Sequence, residues 1–242
     1  MNDPGAARLV VALDVPRFER ARALVDRLAP LGVTFKVGYQ AFYGFGDEIL
    51  GHIRERGAEY MLDLKLHDIP NTVHAGVRAL VAPGCRLLTV HALGGATMLG
   101  AAVEAAAERA AELGCPPPHV LAITILTSIA SEDLRELGLS GGPGENAIRL
   151  AAIARDARCG GIVCSVAEAG DVKQFFGSEF IALTPGIRPA GSSHGDQARV
   201  ATPGAARHAG ADYIVVGRPI IEDADPLAAA EAILAEFRGV PV

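Results

Sequence analysis

The chain has 242 residues, half of them hydrophobic and 21% charged, with 28 Gly, 15 Pro and no Trp; this excludes disorder and collagen and allows one large domain or two small ones. A formal charge of −6 (22 Lys and Arg against 28 Asp and Glu) argues against coating nucleic acid through bulk positive charge, yet leaves room for a small anionic substrate held by a few local cations. The four cysteines, at positions 85, 115, 159 and 164, form no C-x-x-C and have no histidine placed to complete a zinc quartet, so small buried thiols in a reducing, cytoplasmic setting are expected.

Met1 to Leu13 shows no basic stretch followed by an apolar core and a small-residue cleavage site, so no export signal is read. The first apolar run, Arg8–Val15, reads as a strand, and Arg17 to Leu28 reads as a helix with Ala21, Leu24, Val25 and Leu28 on one face. Further strands are expected at Thr34–Tyr39, Tyr60–Lys65 and Leu87–Ala92, separated by helices over 41–56 and 71–82. A helix over 96–113 and the tight connector Pro116–Pro118 precede a fifth strand, His119–Leu126. The uncharged segments 87–103 and 113–131 are broken by His, Thr, Gly or Pro, so no membrane partner is expected and the protein reads as soluble. Helices over 145–157, 167–175 and 203–209 then separate strands at Gly161–Ser165, Ile181–Gly186 and Tyr213–Arg218, and a helix over 226–237 closes the series.

Each strand is nearly continuous in apolar residues, as strands buried on both faces of a parallel sheet must be. Eight strands alternating with helices, with no linker or composition shift, predict a single-domain α/β protein, a (β/α)8 barrel using residues 1–242. A doubly wound sheet is the fallback, but A-L-D-V-P-R after the first strand lacks its glycine fingerprint.

Barrel enzymes carry their chemistry at the C-terminal strand ends. Those ends hold Asp14, Lys36, Asp63 with Lys65, His91, Thr127, Ser165, Arg188 and Arg218. The densest group is D-L-K-L-H-D, from Asp63 to Asp68. On a regular strand Asp63 and Lys65, two apart, project side by side, and Asp68 follows in the turn before Pro70. A lysine kept charged by neighbouring carboxylates is a poor Schiff-base nucleophile but a good proton donor to a carbanion formed beside it. The group could equally be an ion-pair network closing the barrel top. T-P-G-I-R (184–188) and G-R (217–218) end the last two strands, where this fold usually grips phosphate. Between them Pro189–Gly195, followed by Asp196 and Gln197, reads as a lid.

The stretch D-L-K-L-H-D-I-P-N-T (63–72) is similar to the signature of the orotidine 5′-phosphate decarboxylases. The resemblance runs the length of the chain through V-A-L-D (11–14), K-V-G (36–38), V-H-A-L-G-G (90–95), L-T-S (126–128), V-C-S (163–165), T-P-G-I-R, G-D-Q-A-R-V-A-T-P (195–203) and V-V-G-R (215–218). It implies a homodimeric barrel that converts orotidine 5′-monophosphate to uridine 5′-monophosphate and carbon dioxide without metal or organic cofactor. Lys65 would protonate the ring carbon that loses its carboxylate, with Asp63 beside the leaving group. Asp68 and Thr72 would reach the partner's site, completing a Lys-Asp-Lys-Asp array with Lys36. Asp14 and Lys36 would bind ribose hydroxyls and Thr127 the ribose and pyrimidine region. Arg188, Gln197, Gly217 and Arg218 would grip phosphate, and Leu64, Leu66, His67, Ile69, Pro70 and Asn71 would belong to the substrate-binding segment.

One departure is Tyr60, where the family usually carries an aliphatic residue; it concerns packing. The nearest rival resembles the magnesium-dependent 3-keto-gulonate 6-phosphate decarboxylases, which carry a glutamate ligand where this chain has Lys36, and an ammonium cannot coordinate a hard cation. Two further rivals are a Schiff-base aldolase using Lys65 and a non-catalytic nucleotide-binding barrel. His91 is expected to support the site by hydrogen bonding, and His67 reads as a turn residue.

Overall fold

The computed structural model describes residues 8–189 and 200–239. Within them eight parallel strands close a barrel in sequence order: β1 (Leu9–Ala12), β2 (Thr34–Val37), β3 (Glu59–Leu66), β4 (Cys85–His91), β5 (His119–Ile123), β6 (Gly161–Val163), β7 (Ile181–Thr184) and β8 (Tyr213–Val216). The chain closes on itself through β1 and β8, with Leu9 opposite Ile214 and Val11 opposite Val216.

The helices run α1 (Phe18–Leu28), α2 (Tyr39–Phe45), α3 (Asp47–Glu55), α4 (Pro70–Leu80), α5 (Gly95–Leu113), α6 (Ser131–Glu136), α7 (Pro143–Asp156), α8 (Val166–Phe176), α9 (Pro203–His208), α10 (Arg218–Ile221) and α11 (Pro226–Arg238). The expected helix over 41–56 is in fact α2 and α3, broken at Gly46, whose φ of 54° and ψ of −136° only glycine adopts without strain. Two helices left no trace in the sequence pattern. Both α6 and α10 are too short, at six and four residues, for a hydrophobic period to register. Except for β3, which runs one residue past the expected Lys65, the strands end one to three residues earlier than the apolar runs suggest, because the last residues of each run leave the ladder at the barrel mouth. Arg218 is thereby the first residue of α10 and not the end of β8.

Two cores follow from strand alternation. Outward-facing residues such as Leu9, Val11, Phe35 and Leu62 pack with the helices in one large cluster. Inward-facing Val10, Ala12, Met61, Leu87, Leu121, Leu183, Tyr213 and Val215 form a smaller plug inside the barrel. The plug floors the mouth, so residues two and four further along each strand stand above it, at the C-terminal ends. Among the described residues, no helix is long and apolar enough to cross a membrane.

Candidate active site

Continuing the inward series past the plug places chemistry directly: Val10 and Ala12 lead to Asp14, Thr34 to Lys36, Met61 to Asp63, and Leu121 to Ile123, Ile125 and Thr127. All of these except Val10, Thr34 and Leu121 line a cavity of about 600 Å³ at the barrel mouth, a size suited to a small molecule. On one wall the charges alternate. Lys36 Nζ lies 3.2 Å from both Asp14 carboxylate oxygens and 3.6 Å from Asp63 Oδ2, and Lys65 Nζ lies 2.9 Å from Asp63 Oδ1.

Asp63 and Lys65 do meet, but not through a regular pleat. Leu62 pairs with Leu88 and Leu66 with Val90, so four residues of β3 span what two cover on β4. Lys65 takes up the slack with φ of 46°, a conformation that costs a lysine about 1 kcal/mol or more and persists only where its surroundings impose it. Thr89 supplies that constraint: its hydroxyl accepts from the Lys65 backbone N–H (2.9 Å) and donates to Asp63 Oδ1 (3.1 Å). The sequence reading missed Thr89. Its signal was a lone hydroxyl inside the apolar β4 run, and Thr89 is fully buried.

Burial alone would raise the Asp63 carboxyl's pKa; the ammonium charges of Lys36 and Lys65, with hydrogen bonds from Lys65 and Thr89, outweigh it and hold the group below the usual carboxylate range. Gly38 makes room for this packing. A Cβ there would stand 2.9 Å from Lys36 Nζ and 3.4 Å from Asp14 Oδ1.

Arg188, Gly217 and Arg218, which follow β7 and β8, line the same cavity. Arg188 is set on a fixed stem: its N–H donates to Ala201 O (2.9 Å) and Ala201 N–H donates to Gly186 O (3.2 Å), closing a parallel bridge between Ile187 and Ala201. Two guanidinium groups in one pocket favour a phosphate dianion. Ile123, Ile125, Leu183 and Val215 give the cavity an apolar surface that a planar ring can lie against, with Thr127 and Ser128 as polar lining residues. Ser128 and Glu222, both on the cavity wall, were also missed; Ser128 directly follows Thr127, and Glu222 lies one helical turn beyond Arg218.

The rest of the predicted segment lies elsewhere. Leu64 is buried off the cavity wall and Leu66 packs against the outer core, because they face the opposite way from Asp63. His67, Asp68, Ile69, Asn71 and Thr72 are exposed, and Pro70 begins α4. None of these lines the cavity of its own chain. Asp68 Oδ1 accepts from the Ile69 N–H at 2.6 Å. His67 stacks on His91 with centroids 5.3 Å apart, and burial, then His67 and Lys65, push the His91 pKa down. Ser165 is a correction: it caps α8, its N–H donating to Glu168 Oε2 at 2.6 Å. Tyr60 is fully buried at the start of β3, away from the cavity, with its phenol pushed up to about 12 by burial. Gln197 and 190–195 of the expected lid lie outside the described residues.

Among the described residues no three His, Cys, Asp or Glu side chains gather as metal ligands. Between Asp14 and Asp63, the position a cation would take is held by the Lys36 ammonium.

The family described as "Orotidine 5'-phosphate decarboxylase / HUMPS family" matches residues 7–233. The chain is 47% identical over 234 residues to an orotidine 5′-phosphate decarboxylase of Moorella thermoacetica, covering 96% of this chain and 93% of that relative. It is 48% identical over 237 residues to the enzyme of that name from Halorhodospira halophila, covering 98% of each. Its fold is similar to the crystal structure of orotidine 5′-phosphate decarboxylase from Lactobacillus acidophilus, with a TM-score of 0.82, 38% identity, and coverage of 96% of this chain and 99% of that one.

Proposed function

The chain belongs to the orotidine 5′-phosphate decarboxylase / HUMPS family, and from that premise we propose that it converts orotidine 5′-monophosphate to uridine 5′-monophosphate and carbon dioxide, as one catalytic barrel. The observation that carries this reading is the alternating Asp14–Lys36–Asp63–Lys65 array sharing a single cavity with two arginines.

The phosphate sits against Arg188, Gly217 and Arg218, the ribose hydroxyls meet Asp14 and Lys36, and Thr127 contacts the ribose and pyrimidine region. This orientation brings the ring carboxylate to Asp63 and Lys65. Breaking the bond from C6 to the carboxylate releases neutral carbon dioxide and leaves the electron pair on C6. Lys65 Nζ transfers a proton to that carbon, becomes a neutral amine, and regains a proton from solvent after product leaves. Asp63 disfavours a carboxylate beside it and loses that repulsion as carbon dioxide forms, while the Lys65 ammonium stabilises the developing carbanion. Metal independence is part of the proposal; the donor set supports it, since Lys36 supplies an ammonium where magnesium would need oxygen. Chelator-treated protein should consume orotidine 5′-monophosphate and release carbon dioxide. Persistent inactivity of intact protein would overturn the decarboxylase reading.

We further propose a homodimer in which Asp68 and Thr72 act in the partner's site, in a reducing cytoplasmic compartment. All four cysteines are thiols rather than disulfides, which supports the compartment. Exposed apolar side chains support the dimer: Tyr39, Tyr43, Ile69 and Leu93 lie 46–77% exposed. Tyr39 and Tyr43 stack on each other beside Lys65, Ile69 directly follows Asp68, and Leu93 N–H donates to His91, which stacks on His67. Such a patch marks an interaction surface.

Arg218→Ala should weaken uridine 5′-monophosphate binding about ten- to a hundredfold, the equivalent of losing a charge-assisted hydrogen bond of about 1.5–3 kcal/mol. Affinity for uridine should stay the same. Isothermal titration with both ligands measures this, and equal losses for both would refute the phosphate grip.

A further inference from the structure

The best-placed uncommitted aromatic group in the molecule is Tyr39, which neither the motif nor the cavity wall includes. It opens α2 directly after Gly38, so the chain turns into a helix one step past the strand that delivers Lys36. The Lys65 ammonium stands over the face of its ring, 5.5 Å from the centroid. Tyr43, one helical turn later, stacks on Tyr39 with centroids 5.9 Å apart and planes 19° from parallel, fixing the ring's tilt. Lys65 therefore has Asp63 at one side and an aromatic face at another, on a backbone already forced to φ of 46°.

We propose that Tyr39 is a positioning residue for the proton donor: its ring face holds the Lys65 ammonium by a cation–π contact and aims it at the reacting carbon. This rests on the decarboxylase reading. A carboxylate alone attracts the ammonium but leaves it free to swing around Asp63; the ring restricts that arc. The contact strengthens when water is excluded, and Tyr39 is half-exposed in the single chain, on the face proposed to meet the partner. The hydroxyl has no part in it, so phenylalanine should serve as well as tyrosine.

The chain contains three lysines, Lys36, Lys65 and Lys173, so selective lysine labelling yields three ε-methylene signals. Lys65→Ala identifies the one that belongs to Lys65. The expected result is an upfield, ring-shifted Lys65 signal in the wild type that moves downfield in Tyr39→Met and stays in place in Tyr39→Phe. In the same variants kcat should fall about two- to fivefold for methionine, from loss of a partly exposed cation–π contact, with KM unchanged because Tyr39 does not line the cavity. Phenylalanine should restore most of the rate. A Lys65 signal unmoved in Tyr39→Met overturns the inference whatever happens to the rate, and a fall in kcat beside it would assign Tyr39 to packing. Equal loss in Tyr39→Phe and Tyr39→Met overturns it as well, because the hydroxyl would then be the active part. A wild type that holds the ring-shifted signal but does not decarboxylate would remove the functional reading and leave the ammonium–ring contact standing.

Discussion

Lys65→Ala should abolish turnover, lowering kcat by about 10³-fold or more, while uridine 5′-monophosphate still binds. A general acid contributes about 10²–10⁴-fold by itself, and here the same ammonium also neutralises Asp63 and would face the carbanion. Ligand affinity should survive because Arg188 and Arg218, which also line the cavity and are proposed to hold the phosphate, are left in place. Single-turnover kinetics with titration of the product checks both halves. Near-normal turnover would remove the proton-donor assignment. The same variant tests the partner's contribution. Mixed with Asp68→Ala under subunit exchange, it should recover activity from about a quarter of the sites, because a symmetric dimer pairs one intact Lys65 with one intact Asp68 at one site of each mixed assembly, and mixed assemblies make up about half of the total. No recovery despite verified exchange would place Asp68 outside the partner's site.

Asp63→Asn should be nearly as damaging, and it should also unfold more easily. The carboxylate is buried between two ammonium groups, and its loss leaves Lys36 and Lys65 facing a neutral amide. Breaking a buried ion pair of this kind costs roughly 3 kcal/mol, or about 6–12 °C in Tm for a chain of this size. The pH dependence has a definite direction. Because the folded protein holds Asp63 below the ordinary carboxylate range, its contribution is fully present above the unfolded value of about 3.9 and is lost as pH falls through the depressed folded value. The gap in stability between wild type and Asp63→Asn should therefore be widest above about pH 4 and shrink in acid. Thermal melts of both proteins from neutral to acid pH give the curve; a gap that widens in acid would contradict the electrostatic account of this group.

Both variants turn on how sparingly the chain uses lysine. Two of its three lysines, Lys36 and Lys65, stand in the array, so a net charge of −6 coexists with a locally cationic site. Composition described the surface, and placement describes the chemistry.

Much of this was legible in the linear chain. Apolar runs spaced by amphipathic segments specify eight parallel strands, because a strand covered on both faces can tolerate little polarity except at its ends. That same rule exposed Asp14, Lys36, Asp63 and Arg188, whose charges interrupt or end such runs. The β3 bulge was hidden. Its cause is Thr89 on the neighbouring strand, whose hydroxyl captures the Lys65 backbone N–H in place of a ladder carbonyl, and no local pattern around Lys65 records a contact made 24 residues away. The Tyr39 ring beneath Lys65 and the placing of Arg188 and Arg218 on one cavity are likewise products of barrel closure. Sequence by itself determined which side chains carry charge, which face of each strand they take and the order of the elements, since these follow from local sterics and period. Tertiary structure alone decided the distances, because Lys65 and Asp63 share β3 while the groups that fix them, Lys36 on β2, Thr89 on β4 and Tyr39 on α2, come from other elements that only the paired sheet brings within a few ångströms of them.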